Sequence, residues 1–274
     1  FYIYDLTLNK LIFTQNKITK ATAFYIDKNN ILFIGTQQTG IAVVPLKDID
    51  NYNAYTFYSD LKKGNNKIEN NRITGIEEDS KGNIWVGTYN GLHLYDRVKK
   101  KFKAKSLLIN DKLPSVIINS IAIKEDRIWL ATPSGLIKLA YINNKLIIKD
   151  KLSKENGLIS DFICAVTFDS KSNLWLSTKT EIVKYNEKNH SFISYGENDG
   201  IKTTSFNNRS FFNFENNNIC FNRLNTFNPK QSIQYFFQLY DSLTEKYQFL
   251  IRLYLNHEIR KCKHLSIHYP QICL

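Results

Sequence analysis

Residues 73–96 read ITGIEEDSKGNIWVGTYNGLHLYD, and this stretch decides the fold. Apolar and small polar residues alternate on either side of two turn signals, DSKG at 79–82 and YNG at 89–91. Gly in such turns supplies a positive φ that other residues adopt at a cost. The alternation predicts three short β-strands. A fourth strand is predicted at 101–105, after a Lys-rich turn. Four antiparallel strands in about 45 residues are the sequence pattern of a propeller blade.

The same pattern recurs along the chain, at 23–44, 118–139 and 162–185, with an eroded copy at 211–221. A large residue marks one position in the second predicted strand of each copy. These residues lie about 45 residues apart and are Phe33, Trp85, Trp129 and Trp175, with Cys220 in the eroded copy. All three tryptophans of the chain occupy this position. Since one blade cannot bury both of its faces, we expect each tryptophan to pack between neighbouring sheets.

The repeats predict an all-β fold, a partial β-propeller of about five to six four-stranded blades. The array spans residues 1–229, and residues 1–15 supply the outer strands of an incomplete first blade. Residues 230–274 form a divergent tail in which Tyr240, Leu243, Tyr247 and Tyr254 follow helical spacing. The chain contains no Met and opens in mid-strand, so we expect a fragment, with the tail outside the native fold through truncation or a frame shift.

The motif DSKGNIWVGTYNGL at 79–92 resembles the two-component-regulator propeller repeat. This repeat is found in the periplasmic sensor region of Bacteroidetes hybrid two-component system histidine kinases. The segments ENGLISD at 155–161 and KLPS at 112–115 are similar to the connectors between blades of that family. The family's last blade carries two glycine pairs, whereas FNRLN at 221–225 has neither. We expect the resemblance to cover residues 1–229.

The resemblance implies a periplasmic, ligand-sensing segment that binds an oligosaccharide or polysaccharide. It further implies a homodimeric parent protein, held in the membrane by parts outside this chain, that signals to a histidine kinase not present here. Two alternatives stay open on the residues alone. One is a non-signalling propeller that serves as a protein-interaction scaffold, and the other is an inactive gene fragment.

Other function classes have less support in the sequence. The formal charge of +12 raises the question of a nucleic-acid partner, but no stripe of Arg interleaved with stacking aromatics occurs. The spacing of the four cysteines and five histidines matches no zinc site, and we expect no metal, no cofactor and no enzymatic activity. The carboxylate pairs at 77–78 and 125–126 are predicted to lie in solvated blade turns. Cys164 is predicted to be a small apolar strand residue.

Propeller geometry places any ligand site at one end of the channel. Loops from second to third strand and from fourth strand to the next first strand gather there. The candidate ligand-binding residues in these loops are Gln38, Asn71, Arg72, Tyr89, Asn90, Ser134, Asp161 and Asn207. Tyr, Asn and Arg suit sugars and acidic polysaccharides through stacking and bidentate hydrogen bonds. For each single position, the alternative is an ordinary polar turn residue.

Overall fold

The first strands of successive repeats lie side by side in the computed structural model of the chain. The structure describes residues 2–5, 10–14, 17–103, 113, 117–169, 171–199, 201, 206–213, 219–223 and 249–251. Side chains are described at 17–103, 113, 117–169, 171–199, 201 and 206. Within these ranges the regular structure consists of strands and short 3-10 turns. This confirms the all-β propeller fold.

Four complete blades each contain four antiparallel strands in simple sequential order. Blade 1 is β3 Ala21–Ile26, β4 Ile31–Thr36, β5 Ile41–Pro45 and β6 Thr56–Tyr58. Blade 2 is β7 Ile73–Glu78, β8 Ile84–Thr88, β9 Gly91–Asp96 and β10 Lys101–Lys103. Blade 3 is β11 Ser120–Lys124, β12 Arg127–Thr132, β13 Gly135–Ile142 and β14 Lys145–Leu152. Blade 4 is β15 Ala165–Phe168, β16 Leu174–Ser177, β17 Ile182–Asn186 and β18 Ser191–Tyr195.

Shorter sheets flank the four blades. Strands β1 Tyr2–Asp5 and β2 Lys10–Thr14 pair with each other before blade 1. Strands β19 Phe206–Asn213 and β20 Ile219–Arg223 form a hairpin after blade 4. Strand β21 Phe249–Ile251 pairs with β1. The single-turn 3-10 helices are Leu46–Asp48, Tyr52–Ala54, Gly64–Asn66, Lys154–Asn156 and Glu197–Asp199.

The inner strands of the propeller are β3, β7, β11, β15 and β19, each of which contacts the next. The described residues thus contain four full blades, two strands of a further blade after them and the sheet of β1, β2 and β21, in agreement with the predicted partial array of about five to six blades. Most of the predicted tail lies outside the described residues. Its described part, β21, is a strand, so the helical spacing read from the sequence does not apply to those three residues.

The marker aromatics lie on the second strands, as the sequence predicts. Trp85 and Trp129 are fully buried, whereas Trp175 is half-buried. Phe33 meets Tyr95 of blade 2 edge to face, with ring centroids 5.3 Å apart. Such contacts stabilise beyond their buried area. The core of the protein therefore consists of layers between adjacent blades rather than one central cluster.

Close approach of the blades depends on a small residue in the second strand. A Cβ added at Gly35 would lie 2.5 Å from Ile73 Cγ2 of blade 2. A Cβ added at Gly87 would lie 2.7 Å from Thr74 Oγ1 and 2.9 Å from Ile121 Cδ1 of blade 3. All three distances are shorter than van der Waals contact, so glycine lets the first strand of the next blade lie against the sheet.

An aspartate clasp holds the large aromatic of blade 2. Asp79 Oδ2 accepts hydrogen bonds from Trp85 Nε1 and Asn83 Nδ2, both at 2.8 Å. Its Oδ1 accepts from the backbone N–H groups of Lys81 at 3.0 Å and Asn83 at 2.8 Å. The carboxylate therefore closes the first turn and satisfies the buried indole N–H together.

Blade 4 repeats this clasp and blade 3 does not. Asp169 Oδ2 accepts from Trp175 Nε1 at 2.9 Å and from Asn173 Nδ2 at 2.7 Å. These bonds from Asn173 and Trp175 lower the Asp169 pKa, against the raising effect of burial. In blade 3 the first turn is two residues long, and the buried Trp129 Nε1 has no hydrogen-bond partner among the described residues.

Candidate functional site

One end of the described propeller is formed by the two predicted classes of loop, and we call it the loop face. Backbone hydrogen bonds join loops of successive blades at this end. Gly40 N–H donates to Asn71 O at 3.1 Å, and Gly135 N–H donates to Asp161 O at 2.7 Å. Phe206 N–H donates to Lys179 O at 2.8 Å. The loops that carry the candidate residues are therefore tied to one another across the blade boundaries.

A buried threonine braces each loop between second and third strands. The hydroxyl accepts a backbone N–H of its own turn and donates to the carbonyl that opens the third strand. The four residues are Thr36, Thr88, Thr132 and Thr178, with donor bonds of 2.9, 3.0, 2.8 and 3.3 Å. The sequence interpretation did not single them out, although GT, AT or ST recurs at the end of each second strand. These hydrogen bonds hold the backbone of each turn in place, and with it the side chains that the turn carries on the loop face.

Three of the four blades present a cation on the loop face beside a polar or aromatic partner. The Arg72 guanidinium lies over the Tyr89 ring, 4.0 Å from its centroid. Lys20 Nζ donates to Gln38 Oε1 at 3.1 Å. These contacts join two residues that flank the first strand and the second loop of one blade. They place three of the predicted residues, Gln38, Arg72 and Tyr89, in such pairs.

The third pair was missed by the sequence interpretation. In blade 4, Lys179 Nζ lies 4.6 Å from the centroid of the Phe162 ring. The strand pairing makes Phe162 equivalent to Arg72. Each lies three residues before the first-strand residue that pairs with the small residue of the second strand. Lys179 is equivalent to Tyr89 by the same alignment. Cation and aromatic have exchanged places, so a search for one residue type per position does not find them.

Other predicted residues have local partners. Asn71 is held by its own loop, because its Nδ2 donates to Asp60 Oδ1 at 2.6 Å and its Oδ1 accepts from Asp60 N–H at 2.9 Å. Asp161 Oδ1 accepts from Lys154 N–H at 2.7 Å. Ser134 is exposed and Asn90 is half-buried on the second loops. The backbone of Asn207 belongs to β19, and its side chain lies outside the described residues.

The opposite end carries the turns between first and second strands. The prediction of solvated turn carboxylates is right for the pair at 125–126 and wrong for the pair at 77–78. Glu77 and Glu78 lie on β7, and the Glu78 side chain is only 9% exposed and pairs with Arg97 at 2.9 Å. Burial raises the Glu77 pKa to about 8. The sequence signal for a turn is DSKG at 79–82, which begins one residue after β7 ends.

Cys164 is fully buried, as its apolar context predicts, and it lies one residue before β15. Its thiol approaches the Phe206 carbonyl at 3.6 Å, and burial raises its pKa to about 11. Within the described ranges, no group of three or more His, Cys, Asp or Glu is arranged to hold a metal ion. The same part of the chain has no helix long and apolar enough to cross a membrane.

Comparison with known proteins finds a family match in blade 2. Residues 67–90, which include the first two strands of blade 2, match the family described as two component regulator propeller. Histidine kinase P4 of Formosa agariphila is 26% identical over 212 residues, which cover 76% of this chain and 15% of the kinase. The chain therefore spans about one seventh of that relative's length.

Two solved structures from B. thetaiotaomicron are similar over most of the chain. The extracellular domain assigned to one hybrid two-component system is 26% identical with a TM-score of 0.64, and covers 80% of this chain and 29% of its own. An extracellular domain assigned to a one component system is 16% identical with a TM-score of 0.64, and covers 74% of this chain and 28% of its own. The second likeness shows the fold alone. This chain is therefore a β-propeller segment in which residues 67–90 match the two-component-regulator propeller repeat.

Proposed function

We propose that this chain is the extracytoplasmic ligand-sensing segment of a hybrid two-component regulator and that its loop face binds a glycan. The observation that carries the proposal is the set of cation pairs on that face, Arg72 with Tyr89, Lys20 with Gln38 and Lys179 with Phe162. Aromatic faces stack on sugar rings, and guanidinium or ammonium groups bind the carboxylate or sulfate of an acidic sugar. The chain's formal charge of +12 favours an anionic ligand over a cationic one.

The rigid backbone under these side chains supports a preformed site. Each second loop is braced by its buried threonine, and loops of adjacent blades are bonded to one another. A preformed site loses little conformational entropy when a ligand binds. The segment itself supplies binding and no chemistry, and the kinase activity belongs to the longer parent protein. This part rests on the similarity to a histidine kinase of which the chain covers 15%.

Glycan binding is tested with an array of neutral, carboxylated and sulfated oligosaccharides and the full chain. Arg72→Ala and Tyr89→Ala are expected to lose at least about tenfold in affinity for a bound glycan, since they remove an exposed guanidinium and a half-buried aromatic ring from the loop face. Lys99→Ala is the matched control, because it removes one exposed cation from a turn at the opposite end. Unchanged binding in both loop-face variants rejects the placement of the site, and binding to no glycan rejects the ligand class.

The signalling part of the proposal has its own test. The coding region downstream of this segment is expected to encode a membrane helix, a histidine kinase and a response-regulator module. Light scattering of the parent's extracytoplasmic region is expected to give a dimer, and a reporter fusion to the segment's amino terminus is expected in the periplasm. A downstream region with no kinase module would leave the interaction scaffold as the better function.

A further inference from the structure

A single position at or just beyond the end of the third strand differs in chemistry from blade to blade. In each blade, the residue before the large aromatic forms a backbone pair with a residue of the third strand. The four third-strand partners are Val44, Tyr95, Leu139 and Tyr185. Two residues farther along lie what we call the reach-back residues. They are Leu46, Arg97, Tyr141 and Glu187 in blades 1 to 4. In blades 2 to 4 each one contacts the preceding blade, and Leu46 packs on the face of blade 1 that is turned away from blade 2.

Arg97 of blade 2 pairs with Asp27 of blade 1, whose second carboxylate oxygen accepts no hydrogen bond from blade 1. Asp27 of blade 1 uses Oδ1 to close its turn, accepting from the N–H groups of Asn29 and Ile31 at 2.8 Å each. The aromatic of blade 1 is Phe33, which has no N–H to occupy Oδ2. Arg97 Nη1 donates to that oxygen, while Nη2 binds Glu78 at 2.9 Å. The Asp27 side chain is fully buried, so this guanidinium is its counter-charge.

Tyr141 meets a carboxylate that is already satisfied. Asp79 Oδ2 in blade 2 accepts hydrogen bonds from Trp85 and Asn83, so this carboxylate oxygen does not need a cation from the next blade. The residue that reaches back is uncharged, and its ring lies edge to face on Trp85 with centroids 5.0 Å apart and planes at 83°. Blades 2 and 4 have a tyrosine, Tyr95 or Tyr185, at the paired third-strand position. Blade 3 has Leu139 there, and its aromatic ring comes from Tyr141, two residues farther along.

Glu187 meets two cations on strands β12 and β13 of blade 3. Blade 3 has a two-residue turn with no clasp aspartate, and Arg127 follows it at the start of β12. Glu187 Oε2 accepts from Arg127 Nη1 at 2.9 Å, and Oε1 lies 3.3 Å from Lys138 Nζ. The three side chains are each less than one third exposed. The sign of the reach-back residue is again opposite to what the preceding blade presents.

We propose that the reach-back residues specify which blade packs after which. Repeats with the same backbone can pair in the wrong order, and like charges at a desolvated contact cost several kcal/mol. Glu187 placed behind blade 1 would face Asp27, and Arg97 placed behind blade 3 would face Arg127. The partner that each surface fits is therefore one particular preceding blade. The sign of the residue is matched to what that blade presents at the contact, which is a free carboxylate in blade 1, a satisfied carboxylate in blade 2 and two strand cations in blade 3.

The test exchanges two reach-back residues without changing composition or net charge. The full chain with R97E/E187R is compared with wild type by urea unfolding. It is expected to raise the unfolding equilibrium constant more than about 100-fold, since it places like charges against the fully buried Asp27 and the largely buried Arg127. K99E/E155K is the matched control, because both residues are exposed and the composition is again unchanged. An exchange variant within threefold of this control overturns the proposal.

A milder pair of variants decides the matter if the exchange variant does not fold. E187R alone places a third cation beside Arg127 and Lys138 and is expected to raise the unfolding constant about tenfold or more. E187R/R127E restores opposite signs and is expected to recover most of that loss. A side chain that only fills space would not be rescued from another blade, so a double variant no more stable than E187R overturns the proposal.

Discussion

Asp79→Ala tests the clasp that holds Trp85, and we expect it to destabilise the propeller strongly. The change removes all four hydrogen bonds that the carboxylate accepts. Two of these close the first turn of blade 2, and one satisfies the Nε1 of a fully buried indole. Trp85 is fully buried between blades 2 and 3, and Asp79 is the partner of its indole N–H. The substitution therefore leaves a buried donor without a partner.

The size of the effect follows from these groups. An unsatisfied buried donor costs about 1–3 kcal/mol, and loss of the turn bonds to partly exposed groups costs about 1 kcal/mol more. We expect the free energy of unfolding to fall by about 2–4 kcal/mol. Urea denaturation followed by far-UV circular dichroism measures it. Asp126→Ala is the control, because that side chain is 74% exposed and forms only a 3.7 Å surface pair, so its expected change is below about 0.5 kcal/mol.

The chain also contains an internal comparison for the same reasoning. Trp85→Phe gives up the hydrogen bond to Asp79, whereas Trp129→Phe gives up none, because the Trp129 indole N–H is unpartnered. Both indoles are fully buried, so the loss of apolar area is similar. Trp85→Phe is expected to cost about 1 kcal/mol more than Trp129→Phe. Equal costs, or an Asp79→Ala effect below 1 kcal/mol, would refute the role given to the clasp.

Three further predictions concern other parts of the molecule. Gly87→Val forces a side chain against Ile121 of blade 3 and is expected to cost at least about 2 kcal/mol in urea unfolding, whereas Gly196→Ala, whose nearest neighbour would be 3.4 Å away, changes little. The Cys164 thiol, with a pKa raised to about 11 by burial, is expected to resist iodoacetamide at pH 8 in the folded protein and to react after unfolding, as read by peptide mass spectrometry; rapid native labelling contradicts this. Burial raises the Glu77 pKa to about 8 from an ordinary 4.5, so the folded state binds the extra proton between these values and stability falls as pH rises through that window. Glu77→Gln is expected to flatten the decline in unfolding free energy between pH 5 and pH 8, and identical slopes in the two proteins would exclude the assignment.

The strands and turns were predictable because local chemistry dictates them. Alternation around Trp85, Trp129 and Trp175 follows from the two-residue period of a strand, and it identifies the sheets before any contact is known. The contacts between blades were not predictable in the same way. Arg97 and Asp27 lie 70 residues apart, and nothing in the local pattern of either residue names the other. The pattern at 73–78 also did not show that two glutamates belong to a strand, since turn signals follow them directly.

The loop positions of the candidate residues were predictable, and their contact partners were less so. Repeat geometry alone assigns Arg72, Tyr89 and Gln38 to loops at one end, and the structure places each in a pair there. Their role in binding a ligand stays a prediction. Lys179 and Phe162 were missed, because their pairing depends on two loops of blade 4 that meet only in three dimensions. The tether between Asn71 and Asp60 likewise depends on how a long connecting loop closes on itself.

The three indoles differ in their exposure to solvent, so intrinsic tryptophan fluorescence reports on blade 4 separately from blades 2 and 3. Trp85 and Trp129 are sealed from solvent, while Trp175 of blade 4 is partly open and stacks on Tyr195. Collisional quenchers such as iodide would therefore dim one emitter out of three in the folded protein. Anything that docks beside the fourth sheet would shift that emission towards the blue, without a label and without altering a single residue.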